Sequence, residues 1–594
     1  MVATYKNYNL KELTRNIHRS LSLLWHTSKT LALQSFALQA AQALLPVVSL
    51  YIIKILIEKV TSKQPFSDAI PVIIYFLAAQ LMLALVHQYS AYVTTVYQLK
   101  LTDYLSKRVL EKAVGVDYEY YENPAYHDSL HLAQQQSLYR AGTILTSFNA
   151  FITSAFALLF LLILFISMQS FFALLFIMFS LPLAVIKWYF GIATMQQERK
   201  LAPLEREAGY LHQVLTGVSY AKETRVFGFG SFYIDKFTTI RNFIRGKKQQ
   251  LNEKLTQYSL LAEAAEIIAM AIIFALLAKQ SIEGTITLGL FVIYIQGFQS
   301  LQSNSKNFLQ SVVTILQQRI FMQDLFAFLD IEIEKPRQKQ HDFPQVQKGL
   351  KVSGVSFQYP DAAGNTLSDI DLECEAGKVI AIVGENGSGK STLIKLLAKL
   401  YEADAGQILF DDKELKEIDT ETYREKSLFL FQDFERYFFT IKENIILGKP
   451  DEEKTMQDIE TAASLSGADR FISKLPLGYE TRMGRVFEGS SQLSGGEWQK
   501  LALTRMFYRT NADLIVLDEP TSALDARAEF EIFKQIKYLA KQKMVILVTH
   551  RLYNLKIADY LYVMKEGKIT ESGKFDDLIE KGGLFAELYN MQQL

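Results

Sequence analysis

Six long apolar runs lie in the first half of the chain, and each is close to the length that spans a bilayer, about 20 residues. The runs lie near 31–57, 70–93, 143–168, 170–191, 257–279 and 286–308. The third and fourth runs are almost continuous, so a very short turn must join them. The pattern predicts an all-α transmembrane domain of six helices over residues 1–330.

The loops between these runs differ in charge, and the difference predicts an orientation. The two long loops, after the second and the fourth run, carry clusters of Lys and Arg such as Lys107, Arg108, Arg245 and Lys248. The other loops are short and nearly free of them. Because Lys and Arg accumulate in cytoplasmic loops, both long loops and both termini are predicted to be cytoplasmic. Helical periodicity in LKLTDYLSKRVLEKAV and RNFIRGKKQQLNEKLTQYSLL predicts long cytoplasmic extensions of the spanning helices.

Each long loop turns at a segment that mixes aromatic and charged residues. These segments are DYEYYENPAYHDSL at 117–130 and SYAKETRVFGFGSF at 219–232. Such a mixture suits docking on another protein surface, and a solvated turn is the alternative interpretation.

Polar side chains inside the spans are the first candidates for a substrate site, because charges in a membrane cost free energy. They are Lys187 near the cytoplasmic end of the fourth run, Glu263 and Glu266 one helical turn apart on the fifth, and Gln296, Gln299 and Gln302 along the sixth. They could line a substrate cavity, or they could form interhelical contacts and water-exposed helix ends. The sequence leaves both interpretations open.

The second half of the chain has the pattern of an α/β domain. Residues 331–349, IEIEKPRQKQHDFPQVQKG, predict a linker, and residues 350–594 predict the α/β domain itself. The apolar strand VIAIVG (379–384) runs into GENGSGKST (384–392) and then a helix. The spacing G-x-x-x-x-G-K-[ST] in this context predicts a phosphate-binding loop.

The residue types in that loop indicate how each would bind a nucleotide. Glycines let main-chain N–H groups surround phosphates at a helix N-terminus. Lys390 would neutralise the β- and γ-phosphates, and Ser391 would offer a hydroxyl to Mg²⁺. The predicted nucleotide-binding residues here are Gly384, Asn386, Gly387, Ser388, Gly389, Lys390, Ser391 and Thr392.

A second apolar strand, in ADLIVLDEP (512–520), ends on two carboxylates. Asp518 suits a Mg²⁺ ligand, and Glu519 suits a general base that polarises the attacking water. Paired carboxylates after a strand can also merely cap the next helix. The phosphate-binding loop upstream favours the catalytic interpretation.

Overall composition excludes several classes. The 594 residues include 63 basic and 63 acidic ones, a balance that gives no support for a nucleic-acid partner. The single cysteine, Cys374, excludes an intramolecular disulfide and a cysteine metal cluster within one chain. The N-terminus lacks the pattern of a cleaved signal. About 30 residues precede the first span, so no leader-peptidase domain is expected there.

The sequence LSGGE (493–497), between the phosphate loop and the Asp-Glu strand, resembles the signature of ABC ATPases. Other motifs follow in that family's order across about 345–594. Tyr359 in SFQYP resembles the aromatic residue that stacks on adenine, and Gln432 in LFQDF the glutamine that touches Mg²⁺ and the attacking water. SALD (522–525) resembles the loop that crosses the dimer interface. His550 in VTHRL resembles the switch histidine that contacts the γ-phosphate.

The six apolar runs resemble the exporter class of this family, in which one subunit fuses membrane and ATPase domains. That resemblance implies a half-transporter in the bacterial cytoplasmic membrane, with ATP and Mg²⁺ as cofactors and the two loop turns as coupling helices. Two ATPase domains would sandwich two ATP molecules. Ser494, Gly495, Gly496 and Glu497 would act on the partner's nucleotide, and Asp525 would lie at the interface. Because every motif is intact, a homodimer is favoured.

Two departures from the family pattern stand out. The signature ends in Glu497, followed by Trp498, where the family commonly has Gln. We expect this change to tune the interface and to leave catalysis intact. The stretch RVFEGSSQ (485–492) differs from the acidic-Gly pattern of many drug and lipid exporters.

The substrate is inferred from two further stretches. QDFERYFFTIKENI (432–445) and LSGGEWQKLALTRMF (493–507) are similar to exporters of ribosomally made, modified peptides, including lantibiotic-type transporters. A peptide is therefore favoured. Two alternatives stay open: a flippase of lipids or lipid-linked glycans or a hydrophobic-drug pump, and an ATP-gated channel or membrane regulator. The intact Glu519 argues against the last class, because a pure ATP sensor does not need a base.

Overall fold

The computed structural model describes most of the chain. The described residues are 10–123, 126–127, 129–130, 133–134, 141–168, 170–332, 346–360, 362, 364–450, 455–541 and 543–593. Within its helices, the side chains of 10–14, 17, 141, 167–168, 170–184, 187–188, 195, 199 and 319–321 lie outside that description.

The chain divides into two compact units. The first contains Met1–Val116 and Asn123–Glu332, and the second contains Asp117–Glu122 and Ile333–Leu594. The predicted linker at 331–349 lies largely outside the described residues. The short segment 117–122 belongs to the second unit, although it is more than 200 positions from the rest of that unit in the sequence.

The first unit is built of helices in its described part. They are α1 (Leu10–Thr27), α2 (Lys29–Thr61), α3 (Phe66–Gly115), α5 (Ala141–Met168), α6 (Ser170–Thr216), α7 (Ala221–Val226), α8 (Gly230–Ile282) and α9 (Leu288–Leu329). The segment that belongs to the second unit contributes α4 (Tyr118–Tyr121).

Five helices of the described residues are long and apolar enough to cross a membrane. These are α2, α3, most of α5, α8 and α9. The predicted fourth span, 170–191, falls in α6, and most of its side chains lie outside the described residues. The predicted helical extensions are confirmed, because α3 has 50 residues and α8 has 53. At 1.5 Å per residue each is about 75–80 Å long, more than twice the thickness of a bilayer core.

Interhelical contacts in this unit combine aromatic packing with buried hydrogen bonds. Phe165 of α5 packs against Phe298 of α9, with ring centroids 4.9 Å apart. Gly297 makes room for this contact, since a Cβ there would lie 2.8 Å from the Phe165 ring. Gln39 of α2 donates to Ser90 Oγ of α3 at 3.2 Å. Such hydrogen bonds between helices are typical of membrane bundles.

The second unit contains two sheets and the helices around them. Its strands are β1 (Gly349–Phe357), β2 (Leu367–Glu375), β3 (Val379–Gly384), β4 (Ala405–Phe410), β5 (Lys413–Glu414), β6 (Ser427–Leu430), β7 (Leu514–Asp518), β8 (Met544–Val548), β9 (Tyr560–Lys565) and β10 (Lys568–Gly573). Its remaining α-helices are α10 (Lys390–Leu397), α11 (Thr420–Lys426), α12 (Ile441–Ile446), α13 (Met456–Ser466), α14 (Asp469–Ile472), α15 (Gly495–Tyr508), α16 (Ala526–Ala540), α17 (Phe575–Lys581) and α18 (Leu584–Met591).

The larger sheet decides where the site lies. Its strand order is β10-β9-β3-β8-β7-β6, and β9, β3, β8, β7 and β6 are mutually parallel. Every residue of β3, β7 and β8 is buried, which matches their continuous apolar runs and is typical of parallel strands covered on both faces. The carboxyl ends of four adjacent strands, β3, β8, β7 and β6, therefore meet at one edge.

The smaller sheet is antiparallel, with order β2-β1-β4-β5. One tight point in it is Gly406 of β4, at φ +82°, beside a register shift in β1. A Cβ at this position would lie 2.4 Å from the carbonyl oxygen of Gly354. Both the backbone conformation and the close approach therefore require glycine here.

We expect Gly406→Ala to lower the thermal stability of the protein more than Gly467→Ala does. Gly467 follows α13 at φ +67° and has open space where a Cβ would be. Gly467→Ala therefore adds only the strain of a left-handed backbone conformation, which costs about 1–2 kcal/mol for an L-residue. Gly406→Ala adds a clash with backbone that cannot rotate away. Thermal unfolding of the full chain in detergent measures both, and equal midpoints would refute the tight strand contact.

Candidate nucleotide site

The phosphate-binding loop joins β3 to α10. Gly384 is the last residue of β3, at φ +154°, and a Cβ there would lie 2.2 Å from the carbonyl oxygen of Met564. Gly389 directly precedes α10 at φ +101°, and a Cβ there would lie 2.6 Å from Leu367. The motif glycines at these two positions thus meet both a backbone and a packing requirement. The result is a compact turn that leads into a helix N-terminus, where anions are favoured.

The ammonium group of Lys390 lies within this turn. Its Nζ donates to the carbonyl oxygens of Gly384 and Glu385, both at 2.8 Å, and contacts Ser388 Oγ at 3.4 Å. Burial lowers the pKa of Lys390, and the charges of Asp518 and Glu519 act in the opposite direction. A buried ammonium group in a turn that leads into a helix N-terminus is an arrangement that would hold phosphate oxygens.

The two predicted carboxylates follow β7, two strands away from β3. Asp518 ends the strand, and its Oδ2 lies 3.5 Å from Ser391 Oγ of α10. Glu519 comes next, in a left-handed conformation at φ +47°, and its N–H donates to the carbonyl oxygen of Val548 at the end of β8. A non-glycine residue at positive φ is uncommon and indicates that its surroundings impose the conformation.

Glu519 is held from both sides by the other two predicted catalytic residues. Gln432, just after β6, donates from Nε2 to Glu519 Oε2 at 2.9 Å. His550, just after β8, places Nε2 at 2.9 Å from Glu519 Oε1. Three residues that are far apart in sequence thus form one hydrogen-bonded group. Their geometry fixes the direction in which the carboxylate points.

The oxygen-rich surroundings of Asp518 fit a magnesium ion. Burial and the adjacent Glu519 charge raise the pKa of Asp518 to about 6, so a divalent cation nearby would stabilise the ionised carboxylate. The carboxylate, the Ser391 hydroxyl and the Gln432 amide oxygen are the kind of ligand that Mg²⁺ prefers. Among the described residues no group of three His, Cys, Asp or Glu could hold a metal.

The signature residues lie elsewhere in this unit, at the start of α15. Ser494 is the N-cap, and its Oγ accepts from the N–H of Glu497 at 3.4 Å. Glu497 Oε2 in turn accepts from the N–H and the Oγ of Ser494, both at 2.8 Å. This reciprocal pair is a capping box. The glutamate at the end of LSGGE therefore has a structural explanation, because its carboxylate closes the helix N-terminus.

Gln499 is a residue that the sequence interpretation missed. Its Nε2 donates to the Glu519 carbonyl oxygen at 3.1 Å and to Ser522 Oγ at 3.2 Å. Its Oε1 accepts from the N–H of Ala523 at 2.8 Å. One side chain thus joins the signature helix to the end of β7 and to the predicted interface loop. Asp525 ends that loop, where its carboxylate caps α16 through the N–H of Ala528 at 2.8 Å.

Tyr359, the predicted adenine-stacking residue, is half-buried in an aromatic group. The centroid of its ring lies 5.0 Å from the ring centroid of Phe357 and 5.3 Å from that of Tyr401. Its hydroxyl oxygen is 3.3 Å from Thr392 Oγ1. The ammonium of Lys395 lies 5.4 Å from the Tyr359 ring centroid. The tyrosine is thereby tied to α10, the helix that begins the phosphate site.

Part of the first predicted docking turn belongs to the same unit. Glu122 accepts from Lys395 Nζ at 2.6 Å and from the Tyr401 hydroxyl. Tyr118 of α4 packs edge-on against Tyr401, with centroids 6.1 Å apart. Burial alone would raise the pKa of Glu122, but the hydrogen bonds from Lys395 and Tyr401 outweigh it and lower the pKa. Lys395 and Tyr401 lie outside every sequence motif, so no local pattern indicated them.

The second docking turn and the polar span residues lie in the first unit. The second turn forms α7, with exposed Val226 and Phe227 near its end, and its docking role stays a prediction. Glu263 and Glu266 have a cationic partner that the sequence interpretation overlooked, Lys306 of α9. The Lys187 side chain lies outside the described residues.

Comparisons with known proteins agree with this geometry. The family profile described as ABC transporter matches residues 367–522. The subtilin transport ATP-binding protein SpaT of Bacillus subtilis is 30% identical over 98% of this chain and 95% of its own length. The nisin transport ATP-binding protein NisT of Lactococcus lactis subsp. lactis is 28% identical, over 97% and 96%. A bacterial Atm1-family ABC exporter with ATP bound has the same fold, with a TM-score of 0.75, 21% identity and coverage of 98% of this chain and 99% of that one.

A bundle of apolar helices joined on one chain to a phosphate-loop ATPase defines a membrane-embedded, ATP-hydrolysing export protein. The extent of the match to SpaT completes the identification, and the chain belongs to the ABC transporter family. It is a multi-pass exporter with a fused ATPase domain. The predicted fold class is confirmed.

We expect Glu519→Gln to slow ATP turnover by a factor of about 10² to 10⁴ while ATP still binds, because the amide cannot accept the proton of water. Steady-state phosphate release and binding of a fluorescent ATP analogue measure the two effects. Glu531→Gln, an equally conservative change at an exposed position of α16, is the control. Near-normal turnover in Glu519→Gln would remove Glu519 from the role of base.

Proposed function

We propose that the chain exports a peptide across the bacterial cytoplasmic membrane as one half of a homodimer, with both termini in the cytoplasm. The observation that carries this proposal is the full-length similarity to proteins named for subtilin and nisin transport. The similarity includes the membrane half, where a substrate would bind. It agrees with the resemblance of 432–445 and 493–507 to exporters of modified peptides.

The residues around Glu519 support a hydrolytic role. Glu519 would accept a proton from the attacking water, and Gln432 and His550 would keep its carboxylate oriented. Lys390 would hold the β- and γ-phosphates. Ser391, Asp518 and Gln432 would hold Mg²⁺, which supplies positive charge that favours phosphoryl transfer.

A second subunit completes the proposed mechanism. Ser494, Gly495 and Gly496 would contact the nucleotide of the partner subunit, since helix N-termini favour anions. Every motif on this chain is intact, so two identical subunits would make two equivalent sites. Closure of the two ATPase domains on ATP would turn the substrate cavity outward, and hydrolysis would reset it.

We expect ATP-dependent uptake of modified peptides into inside-out membrane vesicles that contain the protein, and loss of that uptake in Glu519→Gln vesicles. Each probe, a pool of modified peptides, a lipid analogue or a cationic dye, is tested separately. Vesicles without the protein give the background.

Uptake restricted to lipid or dye would overturn the peptide proposal in favour of a flippase or drug pump. ATP hydrolysis with nucleotide-dependent conductance and no uptake would favour the channel or regulator. These outcomes leave the family assignment unaffected.

We further propose that Glu122 couples nucleotide binding to the membrane helices. It directly follows α4, which comes after the long helix α3 in sequence, and it is bonded to Lys395 of α10. Lys395 also lies near the Tyr359 ring. A change at the nucleotide would therefore reach Glu122 and the 117–122 segment through the side chains of Tyr359 and Lys395.

We expect Glu122→Gln to lower the amount of peptide taken up per ATP hydrolysed by several-fold, because a neutral amide weakens the charge-assisted hydrogen bond from Lys395, a type of bond worth about 1.5–3 kcal/mol. The ratio of uptake to phosphate release in vesicles measures this coupling. Glu119→Gln, at an exposed position of α4 just before Glu122, is the matched control. Equal ratios in the two variants would show that Glu122 has only a local role.

A further inference from the structure

Three charged side chains meet between α8 and α9 in the membrane unit. Lys306 Nζ lies 3.2 Å from Glu263 Oε1 and 3.9 Å from Glu266 Oε2. Two carboxylates thus share one ammonium group. When all three groups are ionised, the Glu263–Glu266–Lys306 cluster carries one net negative charge.

Glu266 is the member of the cluster that has a buried carboxylate oxygen without a hydrogen bond. The residue is only 5% exposed, and its Oε2 has no hydrogen-bond donor among the described residues. Lys306 lies closer to Glu263, and 3.9 Å is too long for a hydrogen bond to Glu266. A buried acceptor without a donor is costly, and more so when it is charged. A second cation would satisfy it.

Lys306 lies on a polar face of α9. Gln299, Ser303, Asn307 and Gln310 are exposed, and their spacing places them on one side of the helix together with Lys306. Gln296 and Gln302, predicted as part of this stripe, are half-buried at its edges. Polar side chains in a membrane helix face a water-filled path or another protein surface, because facing lipid is costly. The cluster therefore borders a water-filled path or a polar protein surface, not lipid.

The depth of the cluster is similar on both helices. Lys306 lies about 27 Å along α9 from its start at Leu288, and Glu266 lies about 24 Å from the end of α8 at Ile282. Both distances are slightly shorter than the thickness of the hydrocarbon core, about 30 Å. A ligand arriving from the cytoplasm would thus meet the cluster at the entrance to the apolar part of the unit, given the predicted orientation.

We propose that the Glu263–Glu266–Lys306 cluster binds a cationic group of the exported substrate, a lysine or arginine side chain or an amino terminus. Lys306 is then a resident counter-ion that competes with the substrate for the carboxylates. The substrate cation supplies Glu266 with the hydrogen-bond donor that it lacks. This inference rests on the proposed function as a peptide exporter, and it adds the charge class of the group that is recognised.

The test is equilibrium binding of two fluorescent short peptides to the full chain in lipid nanodiscs. One peptide carries a single lysine and has a blocked amino terminus, and the other is identical except that this lysine is acetylated and therefore neutral. We expect the cationic peptide to bind at least about tenfold more tightly, as for one charge-assisted hydrogen bond. Glu266→Gln should abolish that preference, and Lys306→Gln should increase it.

The opposite signs of the two substitutions separate binding from a structural role. A purely structural ion pair would weaken binding of both peptides in both variants. The neutral peptide reports whether each variant remains folded. Glu283→Gln, an exposed position just after α8, is the control that should keep the wild-type preference.

Equal binding of the two peptides by the wild-type chain, or a preference that survives Glu266→Gln, would overturn the inference. So would a fall in preference in Lys306→Gln. Vesicle uptake separates this inference from the export proposal. Peptide uptake without charge preference refutes the cluster alone, whereas charge-selective binding without peptide uptake supports the cluster and refutes peptide export.

Discussion

The catalytic site depends on the parallel pairing of four neighbouring strands, β3, β8, β7 and β6. Parallel strands place their carboxyl ends at one edge, so the residues that follow each strand become neighbours in space. Lys390 follows β3, His550 follows β8, Glu519 follows β7 and Gln432 follows β6. The bond from Glu519 N–H to the Val548 carbonyl oxygen joins two of these ends directly. The strands are buried on both faces, which gives this edge a rigid base.

The conformation of Glu519 follows from that constraint. A positive φ is unfavourable for glutamate, yet it accompanies a carboxylate that contacts both Gln432 and His550. Gln499 adds a third connection through the Glu519 carbonyl oxygen and continues to the 522–525 loop. Local strain is thus compensated by hydrogen bonds from three other elements. This arrangement fits a residue whose direction matters for chemistry.

The membrane unit meets a different physical requirement, because polar groups there have little water to bind. Gln39 resolves this by hydrogen bonding to Ser90, whereas Lys306 resolves it by pairing with two glutamates. The second solution leaves a charge imbalance, and a site for a cation is one consequence. The two interpretations of Glu263 and Glu266, interhelical contact or substrate cavity, are therefore compatible. The same ion pair can hold α8 against α9 and yield to a ligand.

The sequence by itself determined what depends on short-range patterns. Apolar run length identified the membrane half, and the motif spacing identified the phosphate loop, the Asp-Glu strand end and the signature, since each acts within a few consecutive residues. Only the tertiary structure decided which of these residues meet. Strand order and helix pairing are set by packing between distant segments, so contacts that depend on them have no local signal in the sequence. These contacts are the Gln432–Glu519–His550 group, the links of Lys395 to Glu122 and of Gln499 to Glu519, and the pairing of Lys306 with two glutamates. Glu497 is different, because Ser494 and Glu497 have the S-x-x-E spacing of a capping box, a local signal that the structure bears out.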